Sequence, residues 1–144
     1  MNILVSACLL GIECRYDGSC AVNENIEKLR EKHNIVPVCP EVYGGLKTPR
    51  EPCEILNGRV ITKSGKDVTE SFNKGAQEIL NLARFFDCQY AILKERSPSC
   101  GYKKIYDGTF SGTLIDGNGI TADLLINNGI PVVGESLLES IIKY

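Results

Sequence analysis

The sequence predicts one α/β domain over residues 1–144: a three-layer, Rossmann-like unit with a mostly parallel sheet. Three observations predict it. Four short runs rich in Ile, Val and Leu recur along the chain, as expected of strands covered on both faces. Helical patterns fall between or after these runs, and strands alternating with helices imply parallel pairing. A length of 144 residues suits a single core.

The elements follow in chain order. Ile3 to Val5 reads as the first buried strand. Asn25 to Glu31 reads as a helix with Ile26 and Leu29 inward, and Ile35 to Val38 as the second strand. Residues 43–66 read as an excursion of loops, with a hairpin at Asn57-Gly58, a strong turn dipeptide. From Val68 to Phe86, residues 68, 72, 76, 79, 80, 83 and 86 make one apolar stripe at helical spacing. Asp67 is the expected N-cap there, with Glu70 as its capping-box partner. Tyr90 to Leu93 is the third strand, and a Gly-rich excursion covers 102–119. Thr121 to Asn127 is a helix stopped by Gly129, Ile130 to Val133 the fourth strand, and Ser136 to Lys143 a last helix. The "YDG" triplets at 16–18 and 106–108 read as turns in two loops.

Composition narrows the function. Hydrophobic residues make 43% and charged residues 24%, the balance of an ordinary globular protein. A net charge of −2 advertises no nucleic-acid or membrane surface, though a local basic patch could still serve an anion. Apolar stretches fall short of the roughly 18 residues of a membrane span, and no signal peptide is visible. The expected location is the cytoplasm.

Seven cysteines, at 8, 14, 20, 39, 53, 88 and 100, are many for such a chain, and an odd number cannot all pair. In a reducing compartment they point to metal binding or catalysis. Individually, each could equally be a small buried hydrophobe. In an open parallel sheet, sites form at the carboxyl ends of strands. Cys8, Cys39 and Cys100 each follow a predicted strand, so folding should gather them on one edge. Cys88 precedes its strand and belongs to the opposite edge, in a structural role.

Three converging thiolates select a soft metal. A structural zinc site would want a fourth ligand and CxxC pairs, which are missing, yet zinc stays open as an alternative. An iron–sulfur cluster is equally a thiolate-bound group, and three ligands would leave one iron open. Pro37, Pro40 and Pro98 stiffen the backbone beside two of the cysteines. Gly11, Gly44, Gly45 and Gly101 would let the backbone approach a cluster or ligand. Glu41, Ser97 and Ser99 lie beside the thiols, with Arg15, Asp17 and the run 94–96 in the same loops; such groups move protons or bind anions. The bland reading of each is a solvated loop residue or turn cap. A cysteine hydrolase would need a base. The single histidine, His33, lies at a helix end before the second strand, at the wrong edge.

The segments "SACLLG", "CRYDG", "PVCPEVYGGLKTPREPCEI", "GKDVT", "AILKERSPSCG" and "IYDGTFSG" resemble, in order and over nearly the whole chain, the thiouracil desulfidase family. The resemblance implies an oxygen-sensitive [4Fe-4S] cluster held by Cys8, Cys39 and Cys100. It implies a small-molecule thiopyrimidine substrate, of the 2-thiouracil or 4-thiouridine type, and leaves open free base, nucleotide or RNA. The implied reaction is non-redox: water replaces sulfur, releasing hydrosulfide. By position and chemistry, Glu41 is the first candidate for acid–base catalysis, then Ser97, then Asp17. Cys14 departs from the family pattern, where an apolar residue is usual, and Cys20 is extra. Cys53 is expected to be structural or incidental.

Overall fold

In the computed structural model, residues 1–138 and 140 are described. Strand β1 (Asn2–Ser6) forms where Ile3, Leu4 and Val5 place apolar side chains on both faces. It lies between β2 (Asn34–Val38) and β5 (Tyr90–Leu93), and β8 (Val132–Gly134) completes a four-stranded sheet of order β2-β1-β5-β8. Every pairing is parallel: Ile3 sits opposite Ile35 and Tyr90, and Ile92 opposite Val133. From β1 the chain steps out to β2, then returns past β1 to β5 and β8. The direction of winding therefore reverses between β1 and β5.

Two helical layers cover this sheet. Ile3, Val5 and Ile92 face α1 (Asn25–Arg30) through Ile26 and Leu29, with Leu138 beside them. Leu4, Ala91 and Leu93 face α3 (Thr69–Phe85) and α4 (Ile120–Asn127), through Ile79, Leu80, Ala83, Ala122 and Leu125. Full burial of each such side chain contributes about 1.5–3 kcal/mol relative to exposure. Of the predicted stripe on α3, Phe86 is 43% exposed, because it follows the last helical turn.

The helix starts differently from the sequence reading. Asp67 stands one residue before the N-cap position, Val68. Its Oδ1 accepts from the Thr69 amide at 2.9 Å, while Oδ2 pairs with Arg59 at 2.8 Å. The side chain thus ties α3 to a hairpin, and no capping-box bond to Glu70 forms among the described residues. That hairpin is β3 (Cys53–Leu56) and β4 (Arg59–Thr62). Asn57 (φ 50°) and Gly58 (φ 75°) supply the two left-handed residues its tight turn requires.

The excursion at 102–119, expected as loop, holds a second hairpin, β6 (Lys104–Tyr106) with β7 (Leu114–Asp116). Three residues per strand are too few to show an alternating pattern. The fourth sheet strand starts later than expected. Ile130 donates to Leu125 O (3.0 Å) and Gly129 to Ile126 O (3.0 Å), so both residues finish α4. The last predicted helix, 136–143, falls largely outside the described residues; what precedes it is a 3₁₀ turn, Glu135–Leu137.

Candidate functional site

Three chain segments leave the carboxyl edge of the sheet at the reversal point, and each carries a predicted cysteine. After β1, a 3₁₀ turn (Ala7–Leu10) buries Cys8 and closes at Gly11, whose φ of 100° only glycine adopts freely. After β2, Cys39 is the extended N-cap of a single helical turn, α2 (Pro40–Tyr43), with Pro40 at its first position. After β5, the loop returns to β1 at once: the Lys94 amide donates to Ser6 Oγ at 2.8 Å. Further along, Ser97 Oγ accepts from the amides of Ser99 and Cys100, both at 3.1 Å. This serine-capped turn fixes where the Cys100 thiol emerges.

The three loops enclose a cavity of about 510 Å³. Cys8, Cys39 and Cys100 line it, as do Glu41 and Ser97. Asp17 is not brought there. It is exposed, and its carboxylate accepts from the amide and hydroxyl of Ser19 at 3.0 and 2.5 Å. Asp107 makes the same turn with Thr109, at 2.9 and 2.6 Å. The shared "YDG" triplet thus encodes one local turn twice, and the Ser19 contacts hold Asp17 below the usual carboxylate range. Cys88 packs in the core with Ala83 and Ala91, outside the cavity. His33 meets the N-terminal amine through Nδ1 at 3.2 Å.

Two further cysteines reach the cavity. Cys14 is one of them, and its carbonyl oxygen lies 3.8 Å from the Cys39 Sγ. Cys53, at the start of β3, lines the wall. The contact with the Cys14 thiol, then burial, push the Cys39 thiol far up. Cys14 itself is raised: its bond with Cys39 pulls down, but the bond with Cys8, burial and the nearby Cys8 charge outweigh that. Burial pushes Cys100 up to about 12, against partial relief from the hydroxyls of Ser99 and Ser6. Burial also raises Cys53, to about 11.

The polar side of the cavity centres on Glu41. Oε1 pairs with Arg50 Nε at 3.2 Å, with both side chains largely buried (14% and 8% exposed). Arg50 is itself pinned by the carbonyls of Cys14 (2.8 Å) and Lys47 (3.2 Å) and by Thr48 Oγ1 (3.0 Å). On the other oxygen, the Ser99 hydroxyl donates at 3.2 Å and the Ser97 hydroxyl lies at 3.5 Å. Ser99 Oγ is 3.5 Å from Cys100 Sγ. A hydroxyl path therefore runs from the carboxylate to the thiol. Sequence reasoning missed Arg50 as the partner of Glu41. Its signal was a lone arginine between Pro49 and Pro52, a cation held in a stiff loop.

The donors suit a thiolate-bound cluster better than one ion. Among the described residues no group of three or more His, Cys, Asp and Glu closes on a single metal position. Five cysteines, at 8, 14, 39, 53 and 100, instead line one cavity, and buried thiols gathered in this way favour anionic form only with a cation among them.

A parallel α/β domain whose strand ends deliver thiols to a cavity at the winding reversal, beside an ion-paired carboxylate, defines a cysteine-based metal-site protein. The family model for 2-thiouracil desulfurase matches residues 3–136. The chain is 48% identical to an uncharacterized protein of Bacillus subtilis (strain 168), YbbK, over 97% of this chain and 99% of that one. It also superimposes with a TM-score of 0.91 on the solved structure of the [4Fe-4S]-dependent thiouracil desulfidase TudS. That match has 44% identity and covers 96% of this chain and 93% of the other. The chain belongs to the 2-thiouracil desulfurase family.

Proposed function

We propose that this protein removes sulfur from a thiolated pyrimidine, giving the oxo-pyrimidine and hydrosulfide, with a [4Fe-4S] cluster held by Cys8, Cys39 and Cys100. The observation that carries this reading is the convergence of those three cysteines on one cavity beside the Glu41–Ser99–Cys100 path. The solved relative described as [4Fe-4S]-dependent supports the same cofactor. Held by these three cysteines, such a cluster would have one iron without a protein ligand and would supply a Lewis acid for the thiocarbonyl sulfur.

The chain's own residues then manage protons. Glu41 accepts a proton from the attacking water as the new C–O bond forms. It returns that proton as the C–S bond breaks, so C=S and H₂O become C=O and HS⁻ plus H⁺, without net redox. Arg50 compensates the buried carboxylate charge and fixes its orientation. Ser97 holds the Cys100 turn, and Ser99 links it to Glu41. Seven free cysteines suit the reducing cytoplasm. Among the described residues no helix is long and apolar enough to cross a membrane.

The test is sulfide release from a panel of thiopyrimidines by anaerobically reconstituted protein. Sulfide and oxo-pyrimidine in equal amounts are expected from at least one member. Stoichiometric zinc and no visible absorption after reconstitution would overturn the cofactor assignment in favour of a non-enzymatic zinc protein.

A further inference from the structure

Part of the cavity wall comes from the β6–β7 connection, through Phe110 and Gly112, and one feature of it is out of place for a mere turn. Phe110 lines the cavity with a φ of 56°. A bulky aromatic residue in that left-handed region is an outlier, held there only when surrounding contacts over-determine it. Those contacts are present. Glu54, 9% exposed on β3, accepts with one oxygen from the amides of both Gly108 and Phe110, each at 3.1 Å. Gly108 lies so close to β3 that a Cβ would meet Ile55 O at 2.8 Å. The loop is closed at its base by Asp107 N to Thr113 O (3.0 Å). A ladder of hydroxyls, Thr109 to Ser111 (2.6 Å) and Ser111 to Thr113 (2.9 Å), stiffens it.

We propose that Phe110 is the face on which the substrate's pyrimidine ring stacks, and that Glu54 is the positioning residue that holds Phe110 in place. The inference rests on the desulfidase reading for the nature of the substrate. A flat heteroaromatic ring between a sulfur-lined wall and an aromatic ring needs no sequence-specific polar contact to be oriented, and orientation brings its thiocarbonyl toward the thiols. Glycine would satisfy the backbone at 110 without strain; phenylalanine there supplies a ring.

The test uses the anaerobically reconstituted protein and reads KM, kcat, visible absorption and thermal midpoint together. Phe110→Ala should raise KM for a thiopyrimidine roughly tenfold, the scale of one lost base–aromatic stack, with kcat within about twofold and cluster absorption unchanged. Phe110→Tyr should keep the original KM. Phe110→Gly should raise KM equally while leaving the thermal midpoint unchanged or higher, which separates lost stacking from lost folding. Glu54→Ala should reproduce the KM effect, and adding Phe110→Ala to it should change nothing further. Glu54→Gln, which keeps the accepting oxygen, should restore the original KM. An unaltered KM in Phe110→Ala or Phe110→Gly, or a fall in kcat alone, overturns the proposal. If the parent protein releases no sulfide from any thiopyrimidine, the desulfidase reading fails on its own. Stacking is then read by equilibrium dialysis of uracil against the loaded protein. Weaker binding by Phe110→Ala supports it; equal binding, or none by either protein, overturns it.

Discussion

Arg50 and Glu41 show how one buried contact can decide a site. Their ion pair is nearly sealed from solvent, so the charge on each is tolerable only because of the other. Arg50→Met should therefore cost about 3–5 kcal/mol of stability, read from urea unfolding near neutral pH. Adding Glu41→Gln to it should recover part of that loss, since the stranded charge is gone. Glu41→Gln alone should retain the cluster's absorption while turnover falls by roughly 10²–10⁴-fold, the usual weight of a positioned acid–base group. Unchanged turnover would remove Glu41 from the mechanism. Among the cysteines, Cys8→Ala, Cys39→Ala and Cys100→Ala should each lose the visible absorption after reconstitution, whereas Cys88→Ala should keep it. An empty site in Cys88→Ala would break the assignment of edges.

At the scale of elements, two glycines set the position of α2 and hence of Cys39 and Glu41. A Cβ on Gly75 of α3 would lie 1.9 Å from Pro40 O, and one on Gly44 would lie 2.1 Å from Ser71 O. Gly44, expected to admit a ligand, instead admits the backbone of α3. Glycine inside a helix normally costs about 1 kcal/mol against alanine. Gly75→Ala should nonetheless destabilise by about 1–3 kcal/mol or more, because the added methyl must displace α2. Cluster retention should fall in the same variant. A gain in urea midpoint with full absorption would show that α2 is free to shift. The Arg59–Asp67 clasp between hairpin and α3 gives a pH dependence. The Arg59 guanidinium, then the Thr69 hydroxyl and amide, hold the Asp67 carboxyl down at about 2 against an ordinary 3.8. A depressed carboxyl contributes fully above the higher value and loses that contribution as pH falls from about 3.8 toward 2. Asp67→Asn should flatten the acid limb of the urea midpoint in that window; an identical limb in both proteins would exclude the clasp as its source.

For the molecule as a whole, the three cysteines proposed as cluster ligands follow the ends of three neighbouring strands, β1, β2 and β5. A group bound by all three favours the folded state alone, so loading should raise the thermal midpoint by mass action. Removing the cluster with oxygen and chelator should return it, and Cys39→Ala should show no rise. A midpoint indifferent to loading would place the metal outside the three-strand junction.

The alternation of apolar runs with amphipathic stretches was enough to predict the strands, the layers and the carboxyl edge, because each is a local pattern repeated along the chain. Asn57-Gly58 announced its hairpin for the same reason: two left-handed positions are written in two adjacent residues. The placement of Cys8, Cys39 and Cys100 on one edge followed from each lying just past a strand of a parallel sheet. Only tertiary structure decided that Cys14 and Cys53 line the same cavity, that Arg50 neutralises Glu41, that Asp17 stays outside, and that Glu54 braces Phe110 in the wall of that cavity. Each of those joins residues from loops or hairpins with no periodic signature. Their pairing is set by which backbones can approach closely, as at Gly44 and Gly75, and by the need of buried charges and amides for partners. Those constraints exist only once the chain has closed on itself.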